Sequence, residues 1–363
     1  MALRERRLQD GTKRWDVRYR PPGSRREISE TFASKDRAQY REAELRMERS
    51  DGRLVASRRD VIRVKDAYES WIETRRRSVR RGQLKPKTLD DYENQWRLRI
   101  REAFGDTELK AVSPESVQRW ADRLMDSGLG ASSIRHAVSP LKAVFVHAVR
   151  TGMFAGANPV MAVELPALPP SEHVYLPKED VIRLAALLGE QGDVALLLAF
   201  LGLRFGELVG LQVQDVDLAR KRIHIRRSVT SVRGKQLVGT PKTRAGLRSV
   251  PVPTATLGPV FAHRTVGKAP SDALVTGPRG GPLRRENWIR DTGWNKVIVE
   301  LGYPDLTPHS LRHTYASLAR RAGGDLRLIQ KSLGHASILT TAHIYSDLFD
   351  DELDAVADAL DGL

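Results

Sequence analysis

The chain has 363 residues, no cysteine and a formal charge of +15, with a sequence pI near 10.2. Disulfides, thiolate zinc sites and cysteine nucleophiles are excluded, no apolar run reaches the ~18 residues of a membrane span, and the charge favours a polyanion, nucleic acid first, as partner. The N-terminal MALRERRLQD lacks the apolar core of a signal peptide, so a soluble, intracellular chain of two or three domains is expected. Residues 1–55 read as a small α+β module. Trp15, Val17 and Tyr19 alternate with Arg14, Asp16, Arg18 and Arg20, the pattern of a half-buried strand. Pro21-Pro22-Gly23 is a turn, Arg25–Phe32 can return as a second strand, and Ser34 can cap a helix over 35–49 that Asp51-Gly52 ends.

Residues 56–62 read as a linker, and 63–151 as an all-α unit of four helices. The expected spans are about 64–80, 89–103 behind a Thr88 cap, 114–127 behind Ser113, and 132–151 opened by Ser132. Trp71, Trp96 and Trp120 fall on the apolar faces and are expected in the core. The run RRRSVRRGQLKPK, residues 75–87, carries seven basic residues and no acid. Its Arg75, Arg76, Arg77, Arg80, Arg81, Lys85 and Lys87 are either a solvated face or phosphate contacts. Residues 152–176 hold four prolines and little periodicity, which marks an interdomain linker.

From 173 to 350 a mainly α domain with a small antiparallel sheet is expected. Pro177-Lys178 opens a helix to about Leu188, and Val194–Leu201 is a buried apolar helix. Arg204 follows, with Glu207 at i+3 able to orient its guanidinium. Arg222–Thr230 alternates like a strand. Gln236–Gly239 and Leu247–Val252 can pair as a hairpin whose tip carries Lys242 and Arg244. A single helix is expected over 284–301, with Trp288, Trp294 and Ile298 inside.

The stretch TPHSLRHTYASLARRAGGDLRLIQKSLGHASILTTAHIY, Thr307 to Tyr345, concentrates chemistry. A helix near Pro308 puts His309 and Arg312 on one face. A second helix, 325–333, ends at Gly334, a glycine suited to φ > 0, which aims His335 from a tight turn. Tyr345 ends a third helical stretch ten residues on, and His343 before it packs or caps locally. Arginine grips two phosphate oxygens and keeps its charge. Histidine exchanges a proton near neutrality. A tyrosine, with its free pKa of about 10, needs help to act as nucleophile. Together they suggest attack of a phenolic oxygen on a phosphodiester.

His-x-x-Arg, then Leu-Gly-His, then a tyrosine ten residues later resembles the catalytic end of the tyrosine recombinases, the lambda-integrase-like enzymes. GLRFGEL (202–208) supplies the family's upstream arginine as Arg204, and TPKTRAGLRSVPV (240–252) its hairpin lysine as Lys242. The resemblance implies a site of Arg204, Lys242, His309, Arg312, His335 and Tyr345, with Glu207 behind it and Arg244 near DNA. It implies a phage-type integrase that cleaves and rejoins strands through a 3′-phosphotyrosine, with no metal, ATP or other cofactor. Lys242 would protonate the leaving 5′ oxygen and His309 assist the tyrosine. Many relatives carry tryptophan at the position of His335. It further implies an arm-site-binding domain at 1–55, a helical SAM-like core-site-binding domain at 63–151, and the catalytic domain at 173–350. Its expected partners are double-stranded attachment-site DNA, three further copies in a tetramer, and accessory DNA-bending or directionality proteins, in a bacterial cytoplasm.

Three alternatives stand beside that reading. His309-x-x-x-His313 has zinc-ligand spacing, although Arg312 lies between the histidines and H-E-x-x-H is absent. A type IB topoisomerase would share the chemistry, and a non-catalytic DNA-binding regulator would share the charge. Residues 346–363 form an acidic tail with seven Asp or Glu and no Lys or Arg. Its Phe349, Leu353, Val356 and Leu360 follow helical spacing and are expected to dock on protein, in the family commonly a neighbouring protomer.

Overall fold

The computed structural model describes residues 2–7, 11–20, 27–50, 61–169, 173–241, 243–345 and Leu360. The Pro21-Pro22-Gly23 turn, the Asp51-Gly52 helix stop, linker positions 56–60, Lys242, the His343 side chain and the tail apart from Leu360 lie outside the described residues. The chain divides into two compact units, Met1–Pro170 and Ser171–Leu363.

The first unit begins with an antiparallel meander. Ala2–Arg7 pairs with Lys13–Tyr19, which pairs with Ile28–Phe32. The helix Lys35–Ser50 lies on one face, its Ala38 and Leu45 closing over Val17 and Tyr19. Ser34 Oγ accepts from the Arg37 amide at 3.2 Å, a cap for that helix. The first strand was not expected from sequence, because ALRERR shows hardly any apolar alternation. Asp16, read as an outer-face residue, is buried and accepts from Thr31 Oγ1 at 2.6 Å.

The all-α part follows. Val64–Arg80 is one helix, and Pro86–Gln95 continues through a π turn at Trp96–Ile100 into Arg101–Phe104. Pro114–Asp126 and Ala131–Arg150 complete it. The second helix starts behind Lys85 instead of Thr88, because Pro86 already has the φ of a first helical turn. Gly130, not Ser132, occupies the cap position of the last. Ser113 caps as expected, accepting from the Ser116 amide at 3.1 Å. Trp71, Trp96 and Trp120 are buried together. Tyr68 stacks on Trp96 with ring centroids 3.8 Å apart, and Phe104 meets Trp120 edge-on at 5.4 Å. The proline-rich stretch read as linker begins as part of this unit. Met153, Phe154 and Leu165 pack against its core, and Gln118 holds Glu164 through two hydrogen bonds.

In the second unit the apolar helix Asp193–Leu201 is central and packs against Lys178–Leu187 and Ser310–Arg321. One sheet runs Val216–Asp217, Arg222–Ile225, Arg248–Pro251, all antiparallel. The expected hairpin is replaced. Lys235–Gly239 pairs with Ser228–Val232, and Arg248–Pro251 joins Arg222–Ile225 instead. The reason is local. Arg233 and Gly234, at φ 48° and 76°, form a two-residue turn with both φ positive, the geometry that matches strand twist. The expected strand Arg222–Thr230 breaks at Arg226-Arg227, where Arg227 turns to the buried Asp215 carboxylate and donates to the Gly210 carbonyl at 3.1 Å. The helix expected over 284–301 is two, Arg285–Asp291 and Trp294–Glu300, parted at Gly293, whose φ is 65°. Trp288, Trp294 and Ile298 are all in the core. Among the described residues no helix is long and apolar enough to cross a membrane.

Candidate active site

The site is built around one carboxylate. Arg204 precedes the short helix Phe205–Val209, and Glu207 sits in its first turn. Glu207 Oε2 accepts from the Arg204 amide at 3.0 Å and Oε1 from Arg204 Nη1 at 2.8 Å. Glu207 is 1% exposed, and Arg248 on the strand Arg248–Pro251 grips it in a fork at 2.9 and 3.2 Å. Arg312 Nη1 lies 3.8 Å from the same carboxylate. Burial alone would raise the Glu207 pKa, but the Arg248 hydrogen bonds and the charges of Arg248, Arg312 and Arg204 hold it below its ordinary value.

The arginines then fix two backbone corners. Arg312, 1% exposed, donates from Nη1 to the Gly202 carbonyl at 2.6 Å and from Nη2 to the Leu333 carbonyl at 2.5 Å. Arg248 Nε donates to the Ser332 carbonyl at 2.5 Å. Two cations thus satisfy the last carbonyls of the helix Leu326–Leu333, which its own ladder leaves free. Burial, then Arg204, draws the Arg312 pKa down to about 9, so it stays charged at neutral pH. Gly334 follows with φ 69°, and a Cβ there would lie 2.7 Å from the Ala245 carbonyl and 2.9 Å from Arg248 Cδ. His335 leaves this turn with Nδ1 2.9 Å from Thr341 Oγ1. Burial, then Arg312 and Arg204, takes its imidazole down to about 4.

Tyr345 ends the helix Ile338–Tyr345 and is 1% exposed. Its hydroxyl meets His313 Nδ1 at 2.9 Å. The His335 ring lies parallel to the Tyr345 ring at 6.4 Å. Burial pushes the phenol above its ordinary value, against the pull of Arg312. Burial, then His309 and His173, takes His313 to about 3. His309 occupies the cap position of the helix Ser310–Arg321, is exposed, and stands edge-on to His313 at 5.0 Å. Partial desolvation, then Arg312 and Arg204, lowers its pKa.

Of the residues singled out in sequence, Arg204, Glu207 and Arg312 share one charged cluster, and Arg312 ties it to the turn that presents His335. Tyr345 hydrogen-bonds to His313, which in sequence was singled out only for its zinc-ligand spacing to His309. Arg248 entered only as part of the 240–252 motif, with no role of its own, and His173 carried no assignment and no local signal. Lys242 is outside the described residues. Arg244 is exposed on the short turn Arg244–Gly246. In the 75–87 run, Arg75 to Arg80 belong to the end of the helix Val64–Arg80. Arg76 pairs with Glu93 at 2.7 Å, Arg80 with Glu73 at 3.1 Å and Lys87 with Asp91 at 2.9 Å. Arg77, Arg81 and Lys85 are exposed, and Arg75 is half-buried. Among the described residues no group of three or more His, Asp or Glu is disposed to hold a metal ion.

The Phage integrase family matches residues 178–352, and the Phage integrase N-terminal SAM-like domain matches 64–125. The integrase of Mycobacterium phage FRAT1 is 31% identical over 287 residues, covering 76% of this chain and 81% of the relative. A XerC-like tyrosine recombinase of Caldanaerobacter subterraneus subsp. tengcongensis is 26% identical over 77% of this chain and 78% of the relative. Among solved structures, the Tn1549 transposon integrase in complex with circular intermediate DNA superposes with TM-score 0.66 at 22% identity, covering 82% of this chain and all of that one. A lambda integrase tetramer bound to a Holliday junction gives 0.56 at 17%, covering 94% of each chain.

Proposed function

The chain belongs to the phage integrase family and is a tyrosine-type site-specific DNA recombinase, and on that premise we propose that Tyr345 is its nucleophile, working in the pocket that Glu207 organises. The phenolic oxygen attacks the scissile phosphorus, the bond to the 5′ oxygen breaks, and a 3′-phosphotyrosine and a free 5′-hydroxyl result. The adduct keeps the energy of the broken ester, so rejoining needs no ATP. Arg204, whose side chain is 37% exposed, and Arg312 offset the negative charge that gathers on the non-bridging oxygens, each contributing about 3 kcal/mol as one oxyanion donor does. His309, neutral because its pKa is lowered, assists removal of the phenolic proton and hydrogen-bonds a phosphate oxygen, and His335 donates to a second phosphate oxygen. Lys242 protonates the leaving oxygen, and Arg204, Arg312 and Lys242 together supply the charge that a metal supplies elsewhere.

The observation that carries this reading is the path from charge to nucleophile. Arg312 binds the Leu333 carbonyl, Gly334 turns the chain, and the next helix ends in Tyr345. The module 1–55 is assigned to arm-type DNA sites, 63–151 to the core site and 173–350 to catalysis, with the tail 346–363 docking on a neighbour. The active form is a tetramer on two duplexes, a reading supported by the likeness to a lambda integrase tetramer bound to a Holliday junction, in the cytoplasm where its DNA resides.

The test is covalent trapping. A half-site is recovered by selecting a random duplex pool for binding to the full chain, then placed in a nicked suicide duplex. The expected result is one adduct mapping to Tyr345, absent in Tyr345→Phe, and formed equally in EDTA. An adduct on another tyrosine would sink the assignment. Loss in EDTA with recovery in Zn²⁺ would favour the His309/His313 metal reading.

A further inference from the structure

Three residues just ahead of the helix Lys178–Leu187 reach the tyrosine. Leu176 donates its amide to Thr314 Oγ1 at 3.2 Å, which fixes the segment on the helix that carries His313. Tyr175 donates its hydroxyl to the carbonyl of Ile344, the residue before Tyr345, at 3.4 Å. The His173 ring lies on the His313 ring, centroids 4.4 Å apart and 27° from parallel. His313 in turn holds the Tyr345 hydroxyl. The phenol and the backbone of the tyrosine are therefore restrained separately, and both restraints lead to one four-residue stretch.

We propose that His313, His173 and Tyr175 are positioning residues for Tyr345: His313 Nδ1 accepts from the tyrosine hydroxyl and fixes the direction of its oxygen, while His173 holds the His313 ring and Tyr175 the last turn of the tyrosine helix. This rests on the reading of Tyr345 as nucleophile. The hydrogen bond uses the tautomer with the ring proton on Nε2. Orientation, not proton removal, is the role. An imidazole drawn down to about 3 facing a phenol raised by burial cannot take its proton in this arrangement. Orientation has a large effect because a 1 Å error in the attacking atom costs on the order of 100-fold in rate.

The test measures single-turnover adduct formation by the full chain on the nicked half-site, beside half-site Kd and thermal melting. His313→Ala should slow adduct formation on the order of 100-fold with Kd unchanged. His313→Asn, whose amide can place an acceptor near the Nδ1 position, should recover most of the rate. His173→Ala should lose about tenfold and His173→Phe, which keeps the stacked ring, should lose little. Tyr175→Phe should give a smaller loss. Wild-type or faster cleavage by His313→Ala would overturn the proposal, as would failure of His313→Asn to recover in a folded protein. If His313→Ala does not fold, the His173→Ala and His173→Phe pair decides, equal rates counting against it. Tyr345→Phe separates the two levels. An adduct in Tyr345→Phe refutes the nucleophile, whereas a dead Tyr345→Phe beside a normal His313→Ala refutes only the positioning.

Discussion

Arginine is used in two opposite ways in this chain. Around Glu207 the guanidiniums of Arg248 and Arg312 are buried, and they donate to the Glu207 carboxylate and to backbone carbonyls. At 75–87 the same side chain is spread over a surface, where the exposed Arg76 and Arg80 pair with the half-buried Glu93 and Glu73. The difference is the dielectric. A buried charge has no water to fall back on, so its partners are obligatory and its position is fixed. A surface pair competes with water and salt and is worth little, which leaves the arginine available to a phosphate. The buried cluster pre-organises one geometry, and the surface run supplies charge that can adapt to a duplex.

The sharpest way to break this contrast is to remove the shared carboxylate. Glu207→Ala leaves Arg248 without its fork partner and should cost about 3–5 kcal/mol, as does removal of one member of a buried pair. Urea unfolding of the full chain, read by fluorescence of the buried Trp288 and Trp294, measures it. A loss below 1 kcal/mol would mean that the cluster is solvated in solution. Gly334→Ala probes the same corner through the backbone, forcing a side chain into φ 69° and against the Ala245 carbonyl. It should cost about 1–3 kcal/mol and slow adduct formation, because His335 leaves from that turn.

Acid distinguishes the buried groups from each other. His313 and His335 titrate near 3 and 4 in the folded chain against about 6.5 unfolded. Their contribution is therefore complete above about pH 6.5 and is lost as pH falls toward those folded values, since the unfolded chain takes up protons first. Glu207 is also depressed, so its share is complete above about pH 4.3 and is lost only below it. The urea midpoint should fall between pH 6.5 and 4.5, and this fall should be shallower in His313→Asn. An unchanged slope would place the pH sensitivity elsewhere.

The smallest stability effect is expected at the surface. Arg76→Ala should change stability by less than about 1 kcal/mol despite its 2.7 Å contact with Glu93. If Arg76 reaches a phosphate, the slope of log Kd against log salt should drop by about one unit, uniformly across DNA sequences. A large stability loss with an unchanged salt slope would make it a structural arginine like Arg248.

What the sequence determined by itself is local. The Arg204–Glu207 pair, the Gly334 turn, the Ser34 and Ser113 caps and the buried tryptophans follow from spacings of three or four residues or from one backbone angle, and all are present. The turn at Arg233-Gly234 is equally local, but alternation alone pairs Gln236–Gly239 with Leu247–Val252, whereas the fold pairs Lys235–Gly239 with Ser228–Val232. Tertiary structure decided the rest. A strand's alternation says which face is buried and never names its partner, so Arg248–Pro251 could be placed beside Arg222–Ile225 only by the fold. Glu207 and Arg248 are 41 residues apart, and His313 and Tyr345 are 32 apart. No periodicity reaches that far, because such contacts form only when packing around a common core removes water from both partners at once.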